Sequence, residues 1–263
     1  MRLLLGILFS FSTLLINAQE ILGTYYGMYD DNHIAGDAIV IITKSEISID
    51  IASDMYTGNK SSFRGQYQIL NIPPFRYLKY GGMQWMLLAW PDGIYIEMKG
   101  GYYNFLSVRS DARTTVLEDG WDISSSSYLQ ENGTDYIAGN LSYMNALPWA
   151  SAHGYGIGDR INIKLNGRDL PMLIQNGFVS IKNPKLYLEN SRLKLFRLTS
   201  LKTGRRKEVA IKDEPDFQRV EIRDIAALNN TGEVIFLDVL NVFEGTKYKD
   251  LCIQRIIPDF SEK

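Results

Sequence analysis

The chain has little of what catalytic and metal centres are usually built from. Its 263 residues include one cysteine, Cys252, and two histidines. A single cysteine permits no internal disulfide, and two histidines leave little for a His/Cys metal site. Charge of one sign is scarce as well: 28 Lys and Arg against 30 Asp and Glu leave a net charge of −2. That balance argues against a general nucleic-acid binder and against an anionic-membrane binder. No nucleophile elbow, zinc-ligand spacing or phosphate loop is present. Glu118 and Asp119 are neighbours in sequence, which does not oppose them across a scissile bond. The chain therefore reads as non-enzymatic, with no cofactor and no metal.

Long apolar runs are confined to the N-terminus. Arg2 precedes the mostly apolar Leu3–Ile16, and Asn17-Ala18-Gln19 offers a small residue for cleavage. The run is short for a membrane span, so residues 1–18 read as a secretory signal. The alternative is a buried N-terminal helix. The expectation is an exported protein, secreted or periplasmic or on the cell surface, with no transmembrane segment.

What remains is rich in strands and turns. In residues 19–112, Asp37–Thr43, Glu46–Ile51, Trp85–Trp90, Ile94–Met98 and Tyr102–Val108 read as strands, with Ile47, Ile49 and Ile51 alternating. Pro91-Asp92-Gly93 is a turn in which proline presets φ, aspartate bonds its own backbone and glycine accepts positive φ. No window shows a convincing amphipathic helix. The pattern predicts a small antiparallel barrel or roll of unknown role. Its abundant aromatics, Trp85, Trp90 and Tyr95 among them, read as packing first and ligand lining second. Asp30-Asp31-Asn32-His33 reads as a polar turn.

Ser110–Asp122 is polar and charged, and the domain junction is placed near residue 113. Residues 113–263 then supply Ile161–Leu165, Met172–Gln175, Leu193–Thr199, Lys207–Lys212, Arg219–Arg223, Val234–Val242 and Leu251–Ile257 as strands. The run from Val234 is apolar on both sides, as a strand covered on both faces would be. The fold class expected is all-β: an N-terminal antiparallel β domain followed by a β-sandwich.

The stretch from Pro148 to Leu165 organises this second half. Trp149, His153 and Tyr155 sit in a loop with Gly154, Gly156 and Gly158, just before the alternating Ile161, Ile163 and Leu165. Pro-Trp followed by Tyr155-Gly156-Ile157-Gly158 and an acid resembles the NADase-type glycan-binding domain, a discoidin-like relative of the galactose-binding jelly rolls. The resemblance spans about residues 120–258. It includes Asn176-Gly177-Phe178, Tyr187 with Asn190-Ser191-Arg192, and the block from Asp238 through Phe243, Gly245, Tyr248 and Asp250 to Cys252-Ile253. Phe243 stands where the family often has tyrosine, and Gln254-Arg255 where it has Ser-Glu. The resemblance implies a carbohydrate-binding jelly roll. The family takes its name from association with a bacterial NAD-cleaving toxin, an activity not carried over to this chain.

Alternating antiparallel strands return to one end at every second connection. This places the 149–158, 176–191, 213–217 and 243–250 loops together and sends Asn166–Pro171, Ser200–Arg206 and Ala226–Gly232 to the opposite end. Sugar recognition needs an aromatic face and planar polar groups. Trp149 or Tyr155 would supply the face; Asn176, Asn190, Arg192 and Asp250 would supply the polar set. Each has a structural alternative: Trp149 as core, Asn176 as a turn residue, Arg192 and Asp250 as a salt bridge. His153 reads as a surface residue and Cys252 as a small buried hydrophobe. The partner is then a glycan or glycoconjugate, or, if the same loop end docks a protein, another envelope protein.

Overall fold

The computed structural model describes residues 21–31, 34–51, 60–98, 104–109, 121–142, 147–168, 170–227, 231–259 and 261. The expected signal, the junction near residue 113 and the Glu118-Asp119 pair lie outside the described residues.

The first half is a closed barrel of eight antiparallel strands, each paired with the next. They are β1 (Gly23–Asp31), β2 (Ile34–Ile42), β3 (Glu46–Ile51), β4 (Ser61–Ile72), β5 (Phe75–Tyr80), β6 (Met83–Trp90), β7 (Gly93–Met98) and β8 (Asn104–Val108). Closure comes from β1 pairing with β8, Tyr26 opposite Val108. Period-two alternation explains the interior. Val40 and Ile42 on β2, Ile47, Ile49 and Ile51 on β3, and Ile94 and Ile96 on β7 all point into one apolar cluster with Tyr25 and Trp85. A barrel of this strand number is narrow enough for side chains to fill it. One end is capped by Arg109, whose guanidinium lies 4.9 Å over the Tyr25 ring and donates to the Leu22 carbonyl at 2.9 Å.

The second half is a larger mixed β-structure of jelly-roll type. Its strands are β9 (Asp122–Ser125), β10 (Gln130–Glu131), β11 (Thr134–Asp135), β12 (Trp149–Ala150), β13 (Arg160–Lys164), β14 (Met172–Asn176), β15 (Ser191–Ser200), β16 (Arg206–Ala210), β17 (Phe217–Val220), β18 (Val234–Phe243) and β19 (Leu251–Pro258). The path runs β17-β14-β19-β15-β18-β13-β9, with β12 on β19 and β16 on β15. Its core gathers alternate residues from every layer: Ile161 and Ile163, Leu193, Phe196 and Leu198, Ile235, Leu237 and Val239, Ile253 and Ile256. β18 departs from expectation. It buries one face only, and the other is half-covered, in part because the Arg160 guanidinium lies 4.5 Å over the Phe236 ring. β17 stops at Val220, short of the expected Arg223.

The two halves pack on each other. The faces of β5, β6 and β7 turned away from the barrel interior carry Phe75, Tyr77, Met86, Leu88, Trp90 and Tyr95. These meet Leu173, Val179, Ile181, Tyr187, Phe217 and Ile257 in one apolar cluster. Trp90 and Phe217 meet edge to face with ring centroids 5.2 Å apart. Each large side chain buried in such a seam contributes about 1.5–3 kcal/mol relative to exposure.

Candidate functional site

The four loops expected at one end do meet there. Ser151, in the first loop, donates its N–H to the Leu251 carbonyl at 2.9 Å and accepts the Leu251 N–H on Oγ at 3.0 Å. Tyr155 donates to Glu244 Oε2 at 3.1 Å, tying the first loop to the last. The last loop is laced to the second, where Leu186–Glu189 forms a short helix, α1. Thr246 N–H bonds the Leu188 carbonyl at 2.9 Å, and Tyr248 N–H the Glu189 carbonyl at 2.8 Å. Gly245 is the residue this lacing demands, because any Cβ there would collide with the carbonyl oxygens of Glu189 and Tyr248.

Arg192 holds the rim from beneath. It is buried and donates through Nε and Nη2 to both carboxylate oxygens of Asp213, at 2.6 and 2.9 Å. Its Nη1 reaches the Asn190 carbonyl at 2.6 Å and the Tyr187 carbonyl at 3.2 Å. Burial pulls the Arg192 pKa down, but the bonds and charge of Asp213 outweigh it and leave the value raised. Burial beside Asp213 pushes the Tyr187 hydroxyl far up. Gly177, at φ 76°, lets the chain pass this cluster, since a Cβ there would lie 2.8 Å from the Tyr187 ring.

The structure thus divides the sequence candidates. Trp149 is fully buried, with its indole N–H on Ser125 Oγ at 3.2 Å and the Ser127 carbonyl at 3.1 Å. Its ring belongs to the core and offers no face to a ligand. Asn176 is fully buried too. Its amide exchanges two 2.8 Å bonds with the backbone of Leu193, which spends both ends of the side chain on joining β14 to β15. Asn190 is buried and bonds the Leu186 carbonyl at 2.9 Å, closing α1. The anticipated Arg192–Asp250 pair does not form, because Asp213 takes the guanidinium. Cys252 is buried as expected, and burial raises its thiol pKa.

Tyr155 and Asp250 remain open, and the structure adds neighbours. Tyr155 is half-buried, with the Lys249 ammonium 5.8 Å from its ring centroid. Its hydrogen bond to Glu244 is the largest cause of a raised pKa. Tyr248 is 38% exposed on the same loop, under the Lys247 ammonium at 4.6 Å. The Asp250 carboxyl is raised by partial burial and then by the nearby charge of Glu131. Glu131 sits on the β10–β11 hairpin, which no strand expectation covered. Its Asn132-Gly133 turn, both residues at positive φ, is the strongest short hairpin signal a sequence offers. Just beyond, Tyr136 meets Phe178 edge to face at 6.2 Å. The open rim is therefore an aromatic and carboxylate surface bounded by the hairpin, the 152–157 turn and the 244–250 loop.

A family model for the NAD glycohydrolase translocation F5/8 type C domain matches residues 117–259, more than half the chain. The chain belongs to this family. The F5/8 type C domain is a discoidin-like binding module rather than an enzyme. Curated proteins and solved structures give no match. Among the described residues no group of three or more His, Cys, Asp or Glu is placed to hold a metal ion, and no helix is long and apolar enough to cross a membrane. Gln254 and Arg255, where the resemblance implied a departure, are both buried. Gln254 accepts the Val179 N–H at 2.9 Å. Arg255 donates to Gln175 Oε1 and, at 3.4 Å, to the Tyr95 hydroxyl of the barrel. Both residues lie where the barrel docks.

Proposed function

We propose that this chain is an exported, non-catalytic glycan-binding protein, with its site on the open part of the rim. Tyr155 and Tyr248 present aromatic faces to the C–H patches of a sugar ring, and Asp250 receives its hydroxyls. One observation carries the reading. Segments distant in sequence converge beside the exposed Tyr248, the half-buried Tyr155 and the Asp250 carboxylate, in a domain of F5/8 type C kind. Glu131 contributes a second acceptor from the hairpin.

A glycan array probed with the chain from Gln19 onward tests this. The jelly roll alone is unsuitable, because its barrel-facing surface is apolar. Binding to a defined sugar class, lost in Asp250→Asn and Tyr248→Ala, supports the proposal. No sugar bound by the folded chain counts against it.

One feature favours the second reading, a protein-docking module at the same end. Ile157 is 60% exposed and Leu188 44%, and exposed apolar side chains clustered near a rim suit a protein partner. Pull-down of a single stoichiometric partner, insensitive to free sugar, selects this alternative.

A further inference from the structure

The outer face of β18 carries apolar side chains toward solvent. Val234, Phe236 and Leu240 alternate with the buried Ile235, Leu237 and Val239, and all three are only half-buried. A strand apolar on both sides is one covered on both faces. The barrel packs elsewhere, on β14, β17 and β19 through Leu173, Phe217 and Ile257.

Across this strip the charges form one row over four strands. Register aligns Arg160 of β13 with Asp238 of β18, Asp238 with Arg197 of β15, and Arg197 with Glu208 of β16. The row reads plus, minus, plus, minus. Arg160 holds Asp238 at 2.6 Å, and Arg197 holds Glu208 at 2.7 Å. At one edge Lys164 and Asp122 pair at 3.8 Å. The next row aligns Ser124, Asn162, Phe236, Thr199 and Arg206. The face is close to neutral, so it is no complement to a polyanion or a polycation. What complements such an alternating row is the same row reversed.

We propose that this sheet face binds a second copy of the chain, about a two-fold axis parallel to the strands and between β18 and β15. Such an axis reverses the row. Arg160 then meets the partner's Glu208, and Asp238 meets the partner's Arg197. In the next row Asn162 meets the partner's Arg206, and the Phe236 ring meets the partner's Thr199. An axis along the row would set like charge on like charge, which is destabilising. Sheets packed face to face lie about 10 Å apart, within reach of arginine and glutamate from both sides. β15 and β18 have ten residues each, so the face is at most about 33 Å long and, across β9, β13, β18, β15 and β16, about 19 Å wide. About 600 Å² a side is the low end for a specific interface, and the dimer is therefore concentration-dependent. An axis parallel to the strands also leaves both rims at one end, so the surface proposed for glycans is presented twice in one direction. That consequence rests on the glycan reading; the dimer does not.

Sedimentation velocity of the chain from Gln19 onward tests the proposal. Across the micromolar range the parent is expected to pass from monomer to dimer, less readily as salt shortens the Debye length. Arg160→Glu sets carboxylate against carboxylate at both symmetric contacts, and Glu208→Arg sets cation against cation. Each alone weakens the dimer about tenfold or more. Mixed in equal amounts, the two variants restore both contacts and pair with each other. The charges within each variant chain stay mismatched in the mixture, so recovery reports contact between chains and not repair of the fold. Both positions are exposed, so the variants keep the circular dichroism of the parent. A parent that stays monomeric overturns the proposal. So does a dimer that both variants keep, or a mixture that stays as monomeric as its parts.

Discussion

Arg76 of the barrel donates through one nitrogen to both carboxylate oxygens of Asp216 in the jelly roll, at 2.8 and 2.7 Å. The same carboxylate accepts the Ala89 N–H at 2.8 Å. Asp216 immediately precedes Phe217, whose ring is buried against Trp90. Polar and apolar contacts thus fasten the same rim loop to the barrel. Asp216→Ala leaves a guanidinium and a strand N–H without their acceptor, and it is expected to cost about 2 kcal/mol. Denaturant unfolding of Asp216→Ala, Arg76→Ala and the double variant measures it, and a coupling energy near zero would refute the link.

The jelly roll without the barrel presents Leu173, Val179, Ile181, Phe217 and Ile257 to solvent. A fragment of residues 113–263 is therefore expected to associate at concentrations where the longer chain does not. Replacing Phe217 and Ile181 by Ser in the fragment relieves this. Size-exclusion chromatography with light scattering reads the outcome, and a monodisperse wild-type fragment would show that the seam is dispensable.

Arg192 supports the rim by pairing Asp213 and by ending the orphan carbonyls of Tyr187 and Asn190. Arg192→Met breaks a buried ion pair and is expected to cost about 3–5 kcal/mol. Arg192→Lys keeps the charge, loses the fork and falls between. Unfolding midpoints rank the three proteins. Hydrogen exchange at 186–190 and 246–248 rises in the same order if the rim is held from this point.

Glu97, at the barrel seam, has its carboxyl pushed up chiefly by burial, with Arg255, the Tyr95 hydroxyl and Lys182 pulling the other way. The folded state therefore holds a proton that the unfolded chain has released. Stability falls as pH rises from the ordinary carboxylate range through the raised folded value. Glu97→Gln removes that part of the slope. Melting temperatures of both proteins across this pH window check it, and parallel curves would contradict the assignment.

The legible parts of the fold were those governed by local periodicity. Glu46–Ile51 was read to the residue because three isoleucines alternate with polar partners. Antiparallel alternation alone also foretold which loops share an end. β1, β4 and β5 went unread, although β4 alternates Phe63, Gly65, Tyr67 and Ile69 with Arg64, Gln66 and Gln68. Glycine and amide residues dilute that signal, and only closure of the barrel gives it meaning. Within the site, residue type misled. Trp149, Asn176, Asn190 and Arg192 have the chemistry that grips sugars, but here they bond backbone and neighbouring side chains. Their partners Ser125 and Ser127, Leu193 and Asp213 become neighbours only after folding, while Asn190 turns back on Leu186 within its own helical turn. Asn132-Gly133 was the readable signal that was missed, and it builds one wall of the open rim.

The account rests most on whether that open surface receives a sugar. Isothermal titration should compare the chain from Gln19 onward with Tyr248→Ala and Asp250→Asn, using the strongest sugar from the array. Saturable binding by the parent, weakened tenfold or more (about 1.4 kcal/mol) in each variant at unchanged melting temperature, is the expected result. Equal affinity in all three proteins, or no heat from any of them, would contradict it.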